Sequence, residues 1–232
     1  MELILEGLRE ALARVLAADR DLLDAASASL VTSGSATLLS VITGVPLGAA
    51  LGLGRFRGRG LLLSLANTGM GLPPVVVGLF VAVFVWRSGP LGQLEWFCTR
   101  QAMITAQYLL AAPTVVGLTA VAMQSIDPLL RLQLTALGAT RLQAVAILLR
   151  ESRLLILTAI MAGFGAVIGE IGASLMTGCN LRGDTRILTT AIVLETNSGE
   201  FGAAFALAFV LLGLIFAINA LTTWAQQRGT PT

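Results

Sequence analysis

The 232-residue chain contains no lysine and no histidine, and each absence closes off chemistry. Without lysine, the phosphate-cradling Walker A motif cannot be written. Without histidine, His-based zinc sites, the H-E-x-x-H signature and His-containing triads are excluded as well, and no nucleophile stands beside a base, which argues against an intramembrane enzyme. Charge is scarce: charged residues make up 12% of the chain and the formal net charge is only +2. That small excess, with neither a basic stripe nor interleaved aromatics, argues against a nucleic-acid partner. Only two cysteines occur, Cys98 and Cys179. No spacing argument joins them, so two unpaired thiols are expected. A bridge stays geometrically open because both fall in connections on the same side of the span order given below. Glu2, Glu6 and Glu10 stand where a secretory signal needs positive charge, so no cleaved leader is expected.

What the chain has instead is apolar length. Hydrophobic residues make up 56% of it and the mean hydropathy is +0.85, beyond the range of an ordinary soluble domain. Uncharged stretches cover 25–54, 60–86, 101–126 and 201–227, and a fifth, 154–181, is interrupted only by Glu170. Each exceeds the roughly 20 residues that carry a helix across the hydrocarbon core. Backbone groups in lipid must pair within their own segment, and these runs lack the alternation of barrel strands. The expected fold class is therefore an all-α membrane protein. An amphipathic segment, 1–24, precedes a single transmembrane domain, 25–228, with spans near 28–53, 61–86, 102–125, 154–178 and 201–226.

In the N-terminal segment Leu3, Ile4, Leu8, Ala11, Leu12, Val15 and Leu16 recur at helical spacing, with Glu6, Arg9, Glu10 and Arg14 between them. A helix from Glu2 to Ala18 is expected, lying along the membrane interface or packed on the bundle. The first span is rich in Ser, Thr and Gly around Pro46, and the second carries Asn67, Thr68, Gly69, Gly71 and Pro73-Pro74. Such helices suit a protein contact or a hydrated path, or simply close packing through small residues.

Arginine placement orients the chain. Arg55, Arg57, Arg59, Arg131, Arg141, Arg150, Arg153 and Arg228 share one face, and Arg87, Arg100, Arg182 and Arg186 the other, together with Arg9, Arg14 and Arg20 of the N-terminal segment. With those three set aside as interfacial, the positive-inside rule puts the N-terminus outside and the C-terminus in the cytoplasm.

Residues 127–153 form a connection as long as a span but amphipathic. Asp127-Pro128 reads as a helix start and Gly138 as a break, so two short helices around a glycine corner are expected. The stretch Arg131-Leu-Gln-Leu-Thr-Ala-Leu-Gly-Ala-Thr-Arg-Leu-Gln-Ala-Val-Ala-Ile-Leu-Leu-Arg resembles the coupling loop of ABC importer permeases, written E-A-A, three residues, G, nine residues, I-x-L-P. Gly138-Ala139 and the hydrophobics after it match, while Leu132-Gln133-Leu134 replaces E-A-A and Arg150-Glu151 replaces Leu-Pro. The resemblance implies that Ala136, Leu137, Gly138, Ala139, Thr140 and Arg141 couple the chain to an ATPase.

Glu170 is the one formal charge inside a span, and an intramembrane carboxylate is costly enough to call for a role. Gly165, Gly169 and Ala173 recur every four residues beside it, a face on which another helix could approach closely. Gly169, Glu170, Gly172 and Ser174 are accordingly expected at the translocation path or a dimer seam. A bare carboxylate on the path would repel an anion, which favours a bracing role for Glu170. The segment from Gly169 through Phe201, including Gly-Cys-Asn-Leu-Arg-Gly-Asp-Thr-Arg, resembles tungstate-type ABC permeases, relatives of the molybdate and sulfate permeases, with Cys179 in place of an expected glycine. That resemblance implies a multi-pass permease of the prokaryotic inner membrane moving tungstate, or molybdate or sulfate. It also implies a homodimer, two cytoplasmic ATPases that bind ATP and Mg, and an extracytoplasmic oxyanion-binding protein. The chain itself is then no enzyme and holds no cofactor or metal. Arg182, Arg186, Thr189 and Thr190 become candidate oxyanion contacts, unless the arginines serve Asp184, Glu195 or lipid headgroups. The rival class is an ion-coupled carrier or channel, against which stands a span count that does not divide into two halves.

Overall fold

The computed structural model describes residues 2–17 and 19–228 and, among them, all regular structure is helical. Ala18 and the side chains of Glu2, Leu3, Ile4, Glu6, Arg14 and Arg228, all used above, lie outside the described residues. The helices are α1 (Glu2–Leu16), α2 (Arg20–Leu53), α3 (Arg59–Met70), α4 (Pro74–Val85), α5 (Arg100–Gln124), α6 (Pro128–Ala136), α7 (Arg141–Glu151), α8 (Arg153–Ile168), α9 (Gly172–Gly178), α10 (Leu188–Asn197) and α11 (Phe201–Arg228).

Three of them, α2, α5 and α11, are long and apolar enough to cross a membrane unaided. Two helix pairs qualify only jointly: α3 with α4, bent by 102°, and α8 with α9, bent by 60°. The stretches expected as the second and fourth spans are thus each two helices with a bend between them rather than one continuous helix. At the first break Pro73 and Pro74 remove two N–H donors directly after Gly71-Leu72. No proline marks the second, where α8 stops at Ile168 and the chain restarts at Gly172.

The centre of the bundle is the pairing of α2 with α5. Gly44, Gly48 and Gly52 form one stripe of α2 and meet Val115, Thr119 and Met123 of α5 in turn, so the two helices run in the same sense at close range. A Cβ at Gly48 would stand 2.6 Å from both the Thr119 Cβ and the Val116 carbonyl oxygen. Buried hydroxyls of α2 are satisfied locally: Ser29, Thr37 and Ser40 donate to carbonyls four residues earlier at 2.7–2.8 Å. The pairs α3–α4 and α8–α9 run against α5, as shown by Gly69 on Pro113, Gly163 on Val115 and Gly178 on Met103.

At N-terminal α1, Gly7 packs on Phe205 and Ala206 of α11, and Glu10 lies near Gly202, so the two run in opposite senses. This is the bundle-packed alternative for the first helix. Gly7 and Ala11 are buried, while Leu5, Leu8, Leu12 and Val15 stay exposed.

Arginines mark one end of the bundle. There Arg59 donates to the Leu51 carbonyl (2.6 Å) and Arg131 to that of Met123. Leu134 of α6 and Leu148 of α7 close over Ala49, Met123 and Ile126. At the other end Cys98 and Cys179 form a disulfide, with Cα atoms 5.1 Å apart, inside the usual bridging range. This corrects the expectation of two unpaired thiols. The Cys98 N–H donates to the Thr177 carbonyl (3.0 Å), so the connection before α5 is tied to α9 by backbone as well as sulfur.

Candidate functional site

The two helix breaks meet. Gly172, first residue of α9, abuts Val75 at the start of α4, and a Cβ there would lie 3.2 Å from the Val75 nitrogen. One turn on, Gly78 packs against Ala173 with a prospective Cβ only 2.6 Å from its Cα. Gly69, just before the first break, rests on Pro113, midway along the 25-residue α5. Adjacent discontinuities at mid-depth are a recurring design of membrane transporters, because the unwound backbone is tolerated only where it lines a cavity or is buried in protein.

Glu170 organises the second break. It is 5% exposed, and its carboxylate caps α9. Oε1 accepts from the Ala173 N–H, and Oε2 accepts from the Ser174 N–H (3.1 Å) and the Ser174 hydroxyl (2.9 Å). A helix of seven residues is too short to persist unaided, so the acid at its start compensates the free N–H groups there. Gln107 of α5 donates to Ser174 Oγ (3.1 Å), and Thr189 of α10 donates to the Glu170 carbonyl (3.0 Å). The carbonyl of Val167, freed by the break, accepts from the Glu170 N–H (3.3 Å) and from Ser33 of α2 (3.4 Å). Glu170, Ser174 and Thr189 are therefore brought together, and Gln107 joins them although sequence reasoning passed it over. Its signal was an amide deep inside an apolar run.

The bend of 60° between α8 and α9 divides the small-residue face expected along Gly165, Gly169 and Ala173. The break turns α9 away from α8, so Ala173 is buried against Gly78 while Gly165 and Gly169 face open space. Close approaches occur instead at Gly163 and Gly172.

The candidate oxyanion residues divide. Arg182 is exposed and forms a two-pronged pair with Asp21 at the start of α2, through Nε to Oδ1 (2.9 Å) and Nη2 to Oδ2. The Asp21 carboxylate, by hydrogen bond and charge, holds this guanidinium above its ordinary pKa. Asp184 pairs with Arg100 instead, at 3.0 Å. Arg186 donates to the Asn180 carbonyl at 3.5 Å, and its buried Nε has no partner among the described residues. Thr190 caps α10, accepting from the Ile187 N–H (3.1 Å), and Ser29 caps the Leu188 N–H (2.8 Å). Thr189 and Thr190 are buried, and no hydrogen bond joins them to Arg182 among the described residues.

The second feature is the corner between α6 and α7. Asp127 caps α6 by accepting from the Leu129 N–H (2.8 Å), with Pro128 in the first turn. Thr140 and Gln143 form a capping box at the start of α7. Between them Gly138 adopts φ +76°, a conformation open to glycine and strained for other residues. Ala136, Ala139, Thr140 and Arg141 surround the turn. Leu137 and Leu142 project from it at 83% and 84% exposure, with Leu129 and Leu132 also exposed beside them. Four exposed leucines thus cluster at the arginine-bearing end of the bundle.

The chain is 39% identical over 205 residues to a probable anion ABC transporter permease protein of Haloferax volcanii, covering 86% of this chain and 88% of that one. It is 34% identical over 228 residues to the tungstate uptake system permease protein TupB of Peptoclostridium acidaminophilum, covering 98% and 100%. It is 31% identical over 222 residues to the TupB protein of Campylobacter jejuni, covering 96% and 93%. Residues 44–230 match the family described as binding-protein-dependent transport system inner membrane component, and the chain belongs to that family.

Proposed function

We propose that this chain is the permease of an ATP-driven importer that carries an oxyanion, tungstate first and molybdate or sulfate as alternatives, into the cytoplasm by alternating access. The observation that carries the proposal is the exposed leucine corner at Gly138, on a chain that has no nucleotide site of its own and whose full-length relatives are named tungstate uptake permeases.

In this scheme each bent pair is one span, which gives five. The cysteine bridge belongs to an oxidising compartment and the arginine-rich end to the cytoplasm. Both rules put the start of α2 outside and the end of α11 inside. Two copies face each other across the broken helices. Two ATPases, which bind ATP and Mg, seat the corner residues Ala136, Leu137, Gly138, Ala139, Thr140 and Arg141 in a groove. A binding protein delivers the anion near Arg182 and Arg186. ATP-driven closure of the ATPases moves the corner, and α6–α7 transmit that motion through Leu134 and Leu148 to the ends of α2 and α5. Glu170, turned into its own helix, braces the break without repelling the cargo, and Gly169, Gly172 and Ser174 shape it. Coupling is mechanical, and no bond is made or broken in this chain.

Co-expression with a candidate partner ATPase and an oxyanion-binding protein tests the proposal. A stable complex whose ATP hydrolysis rises with oxyanion-loaded binding protein supports it. A chain that purifies without any ATPase, and transports unaided, refutes it.

A further inference from the structure

Ser29, Thr37, Ser40, Thr43 and Thr177 each donate to a carbonyl one turn earlier, and the hydroxyls of Thr32 and Thr119, without a partner among the described residues, are fully buried inside the bundle. Helix α3 departs from this. Ser64, Asn67 and Thr68 sit at i, i+3 and i+4, hence on one face. All three are exposed, and among the described residues none of these side chains has a hydrogen-bond partner. A bare amide is too costly to leave against hydrocarbon, so this stripe cannot face lipid.

Its position narrows what it does face. Gly69, next to Thr68, packs on Pro113 at the middle of α5, and the Asn67 amide oxygen would lie 3.6 Å from a Cβ at Gly117. The stripe is therefore at mid-depth, directly before the bend at Gly71, and across that bend Val75 meets the start of α9. The stripe carries no charge, and the nearby carboxylate of Glu170 is taken up by the N–H groups of α9. Neutral donors suit passage of a doubly charged oxyanion, since a site must bind well enough to admit an ion and weakly enough to release it.

We propose that Ser64, Asn67 and Thr68 line the path of the tetrahedral oxyanion, offering amide N–H and hydroxyl donors at the level of the two helix breaks. This deepens the importer assignment and rests on it.

The test uses the whole importer, with ATPase and binding protein, in proteoliposomes. Asn67→Cys and Thr68→Cys are compared with Phe216→Cys on the exposed face of α11, using a negatively charged, membrane-impermeant methanethiosulfonate; the native cysteines are silent in their disulfide. Modification at 67 and 68 should be at least tenfold faster than at 216 and should slow several-fold in excess tungstate. Asn67→Asp should lower uptake at least tenfold while ATPase binding stays intact. Labelling no faster than at position 216 would overturn the proposal, as would unprotected labelling. So would rapid disulfide formation between two copies at position 67 without labelling, which marks a seam contact. Normal uptake by Asn67→Asp beside a working parent sinks the stripe alone. A parent that moves no oxyanion with ATP sinks the importer assignment and the stripe together.

Discussion

Replacing Glu170 by alanine removes three accepted hydrogen bonds at once, from the Ala173 N–H, the Ser174 N–H and the Ser174 hydroxyl. All three donors belong to buried residues. A hydrogen bond to a charged acceptor contributes about 1.5–3 kcal/mol, and a buried donor left unmatched costs about 1–3 kcal/mol. Because the three bonds share one acceptor group they do not add fully, and a total loss of about 3–6 kcal/mol is expected. Released from its cap, α9 would fray, and the loosened contact with α4 at Gly78 would spread the loss to the first break. The assay is unfolding of the purified permease in detergent, followed by helix content, with Glu170→Gln and Ser174→Ala alongside. Gln keeps one accepting oxygen but sets an NH2 group against donors, so it should fall between the parent and Glu170→Ala. Ser174→Ala should couple to Glu170→Ala, because the two side chains share a hydrogen bond. A loss below about 1 kcal/mol for Glu170→Ala, on the scale of an ordinary exposed cap, would refute the view that this carboxylate holds the break in place.

Other residues give sharper single outcomes. Gly138→Val forces a β-branched residue to φ +76°, at a cost of roughly 1–2 kcal/mol; ATP hydrolysis by the assembled complex should persist while uptake per ATP falls. Gly48→Leu drives a side chain into Thr119 and the Val116 carbonyl, an overpacking cost of about 1–3 kcal/mol that should appear as a lower midpoint of detergent unfolding. Cys98→Ser with Cys179→Ser opens a loop of sequence separation 81 and should destabilise the chain by up to about 4 kcal/mol. In the parent, thiol reagents should find no free cysteine until reductant is added.

Legibility in the sequence varied along the chain for physical reasons. Length and hydropathy suffice for α2, α5 and α11, since an unbroken apolar run has few alternatives. The corner was visible because Asp127-Pro128 and Gly138 are local signals whose effect does not depend on what packs nearby. The break at Gly71–Pro73 had its prolines and glycine in view, but hydropathy runs straight through it. The break at Gly169–Ile171 offered less: a glycine and an acid three residues before Ala173, a capping pattern easily taken for one charge within a continuous span. The Cys98–Cys179 bridge and the Arg182–Asp21 pair join residues distant in sequence, and no spacing announces either. The repeat of Gly165, Gly169 and Ala173 did not reveal the bend, because a four-residue spacing keeps one face only while the helix continues.

The most direct measurement is tungstate uptake into proteoliposomes, comparing the parent with a variant carrying Leu137→Asp and Leu142→Asp. These leucines touch nothing essential to the fold, being 83% and 84% exposed. Burial at an ATPase groove would stabilise docking by about 1.5–3 kcal/mol each. The expected result is ATP-dependent uptake by the parent assembly, lost in the doubly substituted permease together with ATPase binding while the permease stays folded. Undiminished uptake by that variant, or uptake by the permease alone on an ion gradient, would contradict the account.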